Sequence, residues 1–232
     1  MQKASNIITK MNKKALPALP YADEKETKPK KPARLDDLQV TSPKLADTVK
    51  TVREWGKLKR NGQNKSMVFV SVPTSDKNCT GYGCGKTHIA KAMMWSKSFV
   101  VDGVPVAPMG VFFKAHDIIE LLGQGERMSA LCKSDVPVLV IDDVGAEGTL
   151  RYISKEAQQE ELNARYYQII DYCYNQDVSL CLTANQTIQQ LKNHIGGRAW
   201  SRLMAMCPKG FIRDLTGVPD YRLIQGNRIT RR

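Results

Sequence analysis

Residues 80–87 read T-G-Y-G-C-G-K-T, and that stretch decides the fold. Just upstream, residues 67–72 (M-V-F-V-S-V) form a short apolar run that reads as a buried strand. Just downstream, residues 88–95 contain no breaker and read as a helix. A strand, a glycine-rich turn and Gly-Lys-Thr opening a helix make the setting of a phosphate-binding loop. Glycines 81, 83 and 85 let the backbone curl so that several N–H groups face phosphate oxygens, and the helix N-terminus adds partial positive charge. Lys86 then reaches the terminal phosphates, and the Thr87 hydroxyl holds a magnesium ion. In the pattern G-x-x-x-x-G-K-[ST] the first glycine falls on residue 80, which is threonine here. Gly81 makes the turn if the loop runs one residue short; a chance glycine cluster before Lys-Thr is the competing reading.

Some 56 residues beyond Lys86, residues 136–143 read V-P-V-L-V-I-D-D. An apolar strand ending in two carboxylates puts both at the carboxyl edge of the sheet, where ligands bind in open α/β folds. Asp142 there holds magnesium, mostly through water, and Asp143 orients or deprotonates the attacking water. A strand followed by an ordinary polar turn is the plainer alternative. Residues 178–183 make another buried strand, running into Thr-Ala-Asn. Asn185 at that edge bonds the attacking water or the terminal phosphate, while Thr187 suits the cap of the next helix.

Between these signals, residues 111–114 read as a strand and 117–122 as the helix after it. Residues 124–134 are polar and helical in outline, and 156–175 form a long helix with Leu162, Tyr166, Ile169, Ile170 and Cys173 inward. The segment 73–80 is longer than a tight strand-to-loop turn and borders the nucleotide base. Residues 188–195 are helical, Gly196-Gly197 breaks them, and Arg198 and Arg202 follow on one face of the next helix. Residues 211–215 read as the last strand.

At the amino end, Ala4, Ile7, Ile8, Met11 and Ala15 have helical spacing, with lysines mostly opposite them. This short amphipathic helix docks on a partner protein, is a packed or frayed terminus, or is a targeting segment. The proline- and lysine-rich stretch 17–32 is a linker. Leu45, Val49, Val52 and Trp55 then mark a second amphipathic helix ending at Lys59-Arg60. The chain thus divides into an arm, 1–44, a nucleotide domain, 45–225, and a tail, 226–232.

Net charge is +12 and unevenly placed. Residues 1–60 hold 15 Lys/Arg against 7 Asp/Glu, and 226–232 add three arginines. A nearly neutral body with basic ends points to an anionic partner, nucleic acid first, or else to solvated tails. No run of 18 apolar residues exists, so no membrane span is expected. The six cysteines lack paired C-x-x-C spacing, which argues against a zinc module or disulfide framework and for reduced thiols in a cytoplasmic setting.

Taken together, these residues resemble the AAA+ ATPases of the DnaC/IstB group, the helicase loaders and transposition helpers. The resemblance covers roughly residues 45–225. It rests on T-G-Y-G-C-G-K-T-H-I-A, on V-L-V-I-D-D-V-G-A-E, on L-T-A-N before a helix and on G-G-R-A-W-S-R-L near the end. The D-Y-R at 220–222 is similar to the group's short ending, where most other AAA+ proteins continue into a helical lid. The fold implied is an α/β P-loop NTPase: a RecA-like core whose parallel sheet is flanked by helices, with no lid and with a flexible basic arm.

The resemblance makes Lys86 and Thr87 the Walker A pair, within a nucleotide-contacting set of Gly81, Gly83, Cys84, Gly85, Lys86, Thr87 and His88. Asp142 and Asp143 become the Walker B acids, with Thr87 and Asp142 on the metal, and Asn185 becomes sensor 1. Arg202 becomes the arginine finger acting in trans, with Arg198 a second candidate, and Arg222 stands in for the missing second sensor. ATP with Mg2+, a ring or spiral of subunits, single-stranded DNA and a hexameric replicative helicase gripped by the amino-terminal arm are implied. The function expected is ATP-dependent helicase loading in the initiation of DNA replication. A transposition helper of the IstB kind, and an adaptor that binds nucleotide without appreciable hydrolysis, are the rivals. Two departures stand out: Thr80 itself, and Cys173 where the group usually carries an arginine, for which Arg165 either compensates or is incidental. Phe112, Phe113 and Trp200 fit the core better than a base-stacking platform.

Overall fold

Three apolar runs form the centre of one sheet: β1 (Met67–Val70), β5 (Val138–Val144) and β6 (Ser179–Ala184). Nearly every residue in them is buried. That pattern, continuous rather than alternating, belongs to parallel strands covered on both faces. In this computed structural model the described residues are 32–96, 98–101, 104–108, 110–132, 136–148 and 155–224. The expected amphipathic helix at 4–16, the expected linker 17–32 except for Pro32, and the basic tail at 226–232 lie outside them.

The sheet has five strands in the order β4-β5-β6-β1-β7, where β4 is Val111–Lys114 and β7 is Ile212–Asp214. Every pairing is parallel. Parallel neighbours need crossover connections, and the helices between strands supply them. These are α2 (Lys86–Met94), α3 (Ala115–Gly123), α5 (Lys155–Asn175), α6 (Ile188–Ile195) and α7 (Gly197–Met206).

Ahead of the sheet runs α1 (Pro43–Arg60), capped by the Ser42 hydroxyl on the Leu45 amide with proline in the first turn. Its expected apolar face is inward: Leu45, Val49, Val52 and Trp55 are all buried, and the Trp55 indole donates to the Lys65 carbonyl at 2.6 Å. Among the core side chains Phe113 is buried, while Phe112 and Trp200 pack partly buried against it.

Three expectations need correction. The stretch 124–134 turns at Gln124–Gly125, and its described part holds only one short helix, α4 (Met128–Leu131). Gly196 alone breaks the chain, since Gly197 already belongs to α7. Between α2 and β4 lies an unforeseen antiparallel hairpin, β2 (Ser98–Val101) with β3 (Val104–Pro108). All six cysteines are free and buried, and no helix among the described residues is long and apolar enough to cross a membrane.

Candidate nucleotide site

The carboxyl ends of β1, β5 and β6 meet the start of α2, and the residues singled out above converge there. Gly81 makes the first turn of the loop at φ +75°; a Cβ on it would lie 2.6 Å from the Val72 carbonyl carbon, so only glycine fits. The loop closes around Lys86, which is 7% exposed. Its Nζ donates to Asn185 Oδ1 at 2.7 Å, to the Gly81 carbonyl at 2.9 Å and to the Ser71 hydroxyl, with Cys84 Sγ at 3.5 Å. These acceptors are all neutral. A cation buried among dipoles without a counter-charge is costly, and an entering anion relieves that cost.

The two acids are set by a defect in the strand ladder. Between Ile141 and Val144 the β5–β6 register shifts, and Asp143 takes φ +64°, unusual for a side-chain-bearing residue. Its amide leaves the ladder and donates to the Thr183 hydroxyl at 2.9 Å. That same hydroxyl donates to Asp142 Oδ1 at 2.7 Å, so one threonine fixes both acids. Asp142, 6% exposed, also accepts from the Thr87 hydroxyl at 2.9 and 3.1 Å. Asn185 Nδ2 donates to Asp143 Oδ1 at 2.7 Å. The Asn185 amide therefore bridges the loop lysine and the second acid.

Beside these groups opens a cavity of about 410 Å3. Its far wall comes from Asp37, Leu38, Gln39 and Thr41, ahead of α1, and from Tyr221 and Arg222. Residues 73–80, expected to border the base, do not line it. His88 does, and its Nε2 bonds the Arg34 carbonyl at 2.7 Å. Cys84 lines the cavity as well, with its thiol buried 3.6 Å from Ser71 Oγ and 3.8 Å from the Gly81 carbonyl. The donor set suits magnesium, which binds through one or two carboxylates with phosphate and water completing an octahedron. Thr87 and Asp142 offer a hydroxyl and a carboxylate side by side, and no cluster of three or more His, Cys, Asp or Glu among the described residues would hold a metal unaided.

Arg198 and Arg202 stand elsewhere. Both guanidinium groups lie over the Tyr167 ring, 4.8 and 4.5 Å from its centroid, and Arg202 pairs with Asp171. Neither lines the cavity of its own chain. Cys173 is buried, and Arg165 bonds the Ile119 carbonyl at 2.8 Å and pairs with Glu161. It too stays clear of the cavity.

Three participants are given no role by the sequence: Ser71, Thr183 and Asp220, although the last two lie in the L-T-A-N and D-Y-R stretches. Asp220, 5% exposed, accepts from Thr80 Oγ1 at 2.9 Å and from Arg222 Nε at 3.2 Å. Burial opposes its ionisation, yet the hydrogen bonds from Arg222 and Thr80 hold its carboxyl below the usual range. Past the acids, the buried Glu147 side chain accepts from Tyr166 and from the Gly145 amide and pairs with His194 at 3.1 Å.

Strand order, phosphate loop and acid pair define a P-loop protein with the AAA+ fold found in the DnaC-like helicase loaders. The crystal structure of the DnaC helicase loader is similar over 78% of this chain and 96% of its own, with 24% identity and a TM-score of 0.54. The structure of DnaI matches over 78% of this chain and 90% of its own, at 16% identity and a TM-score of 0.53. The replication initiator DnaA bound to AMPPCP and single-stranded DNA matches 87% of this chain and 56% of its own, at 16% identity and a TM-score of 0.50. No protein-family model matches the sequence, and neither does any curated protein.

Proposed function

We propose that this chain is an ATPase of the helicase-loader kind, which binds single-stranded DNA and a hexameric replicative helicase and helps to place that ring. The observation that carries the nucleotide half is the joint Lys86–Asn185–Asp143 and Thr87–Asp142–Thr183 network at one cavity.

On this reading, loop amides from Gly81 to His88 cradle the triphosphate, and Lys86 exchanges its neutral acceptors for phosphate oxygens. Thr87 and Asp142 hold magnesium, which when bound neutralises charge on the terminal phosphates. Asp143 accepts the proton of the attacking water, and Asn185, already bonded to Asp143, positions that water against the terminal phosphate. Arg202, with Arg198 beside it, acts on a neighbouring subunit in a ring or spiral. Their distance from the cavity of their own chain favours that assignment. Arg222 lines the cavity and stands where a second sensor would act. The arm 1–44 grips the helicase, the domain 45–225 assembles on DNA, and the excess of Lys/Arg in residues 1–60 follows the phosphate backbone.

The test has two parts. Purified chain should hydrolyse ATP only with magnesium, and Asp143→Asn should fall to background. The full chain should retain a replicative helicase in a pull-down, and removal of residues 1–31, which leaves the cavity wall and the cap of α1 in place, should abolish that retention. Tighter binding to duplex than to single-stranded DNA would favour the transposition helper.

A further inference from the structure

Asp220 and Thr80 come from opposite ends of the nucleotide domain and meet under the phosphate loop. Their contact explains the odd residue at position 80. The Thr80 hydroxyl donates to Asp220 Oδ2 at 2.9 Å and accepts the Tyr82 amide at 3.2 Å, so it ties the loop's own backbone to the carboxylate. Asp220 is anchored in turn. Its amide donates to the Asn78 carbonyl at 2.7 Å, and the next amide, Tyr221, donates to the Gly83 carbonyl at 3.2 Å. The carboxylate sits so close to the loop that a Cβ on Gly83 would lie 1.8 Å from Asp220 Oδ1. Gly83 is therefore glycine because of Asp220, just as Gly81 is glycine because of the backbone at Val72.

A buried carboxylate beside a triphosphate site is repulsive unless something neutralises it. Arg222 does so, donating through its backbone amide at 3.0 Å and through Nε at 3.2 Å. The same arginine lines the cavity. Thr80, Asp220 and Arg222 thus form one chain of bonds from the first turn of the loop to the mouth of the site.

Resting on the nucleotide-binding reading, we propose that Asp220 is a positioning residue for the phosphate loop. Acting through the Thr80 hydroxyl, it holds the first turn in the shape that receives the triphosphate. Threonine here is half of a latch that replaces the missing glycine.

Two measurements on the full chain decide this: hydrogen exchange of the Tyr82 amide without ligand, and ATP binding with steady-state turnover. Thr80→Val keeps the shape and removes the hydroxyl; Thr80→Ser keeps the hydroxyl. Thr80→Val and Asp220→Asn should each speed Tyr82 exchange and raise Kd and KM for ATP roughly tenfold, the usual scale for a hydrogen bond to a charged group. Turnover at saturation should stay within about twofold, as expected when only uniform binding is lost. Thr80→Ser should match wild type in both measurements. The double variant should be no weaker than the weaker single, because both remove the same bond. Wild-type exchange and affinity in Thr80→Val would overturn the latch, and so would losses that multiply in the double variant. Absence of ATP binding by the wild-type chain would instead refute the nucleotide reading, and the exchange measurement would still decide whether the pair holds the loop.

Discussion

Lys86 is the residue on which the nucleotide site turns, and its surroundings make a prediction about stability as well as binding. Four neutral groups surround the buried ammonium, and among the described residues no carboxylate forms a salt bridge with it. Removing the ammonium leaves the Ser71, Gly81 and Asn185 acceptors short of a donor, a loss of about 1–3 kcal/mol. Lys86→Met should therefore melt below the wild type without ligand, and ATP should give it no upward shift of the kind expected for the wild type. A second prediction concerns Asp143, whose carboxylate is aimed by the β5 bulge and held by Asn185. Asp143→Asn should bind ATP within a few-fold of wild type while kcat falls about 10² to 10⁴-fold, the range for losing a general base. Lys86, Thr87, Asp142, Asp143 and Asn185 were readable in sequence because glycine spacing and apolar strands ending in polar residues are local signals. Ser71, Thr183 and Asp220 were not, since each acts through a partner brought near only by the finished sheet.

At the scale of elements, the loop leaving β5 is tied to two helices by one carboxylate. Glu147 accepts from Tyr166 of α5 and pairs with His194 of α6, and the Tyr166 and His194 rings meet edge-on at 5.6 Å. Burial works against the charge on Glu147, but the bonds from His194, the Gly145 amide and Tyr166 outweigh it and hold the pKa below 4.5. A carboxyl whose pKa is lower folded than unfolded stabilises the fold in full above its unfolded value. It loses that contribution as pH falls through the folded one. Melting temperature should accordingly drop as the solution is acidified below about 4.5, and Glu147→Gln should flatten that part of the profile. Tyr166→Phe should cost about 1–3 kcal/mol at neutral pH by leaving a buried acceptor short of a donor. The main elements were legible from their periodicity: the central strands are unbroken apolar runs, and α1 shows its buried stripe. The hairpin of β2 and β3 has a sequence signal of its own, Asp102-Gly103 between valine-rich runs, the usual two-residue turn pair. The stretch 124–134 looked helical because its polar residues favour helices, but Gly125, at φ +92°, ends the preceding turn.

For the whole molecule, the placing of Arg198 and Arg202 bears on how many chains make one working site. Stacked on Tyr167, with Arg202 paired to Asp171, they are held on their own subunit but reach none of its cavity. A head-to-tail contact between copies would put this surface of one chain against the cavity of the next, since heterologous interfaces join unlike surfaces. If Arg202 completes a neighbour's site, Arg202→Ala should bind ATP normally but hydrolyse it at least tenfold more slowly, an arginine finger often contributing about 10³ or more. Asp143→Asn should also be slow, for a different reason, as its cavity lacks the base while its arginine is intact. Mixed in equal amounts, the two defective proteins pair a sound cavity with a sound arginine at roughly one interface in four, by random head-to-tail assembly. Activity should return to about a quarter of the wild-type rate, measured at a concentration where the wild type is assembled. Recovery in the mixture alone shows that the arginine works across the interface. A mixture no faster than its parts, with assembly intact, would return Arg202 to the Tyr167–Asp171 contact as a brace for α7 against α5.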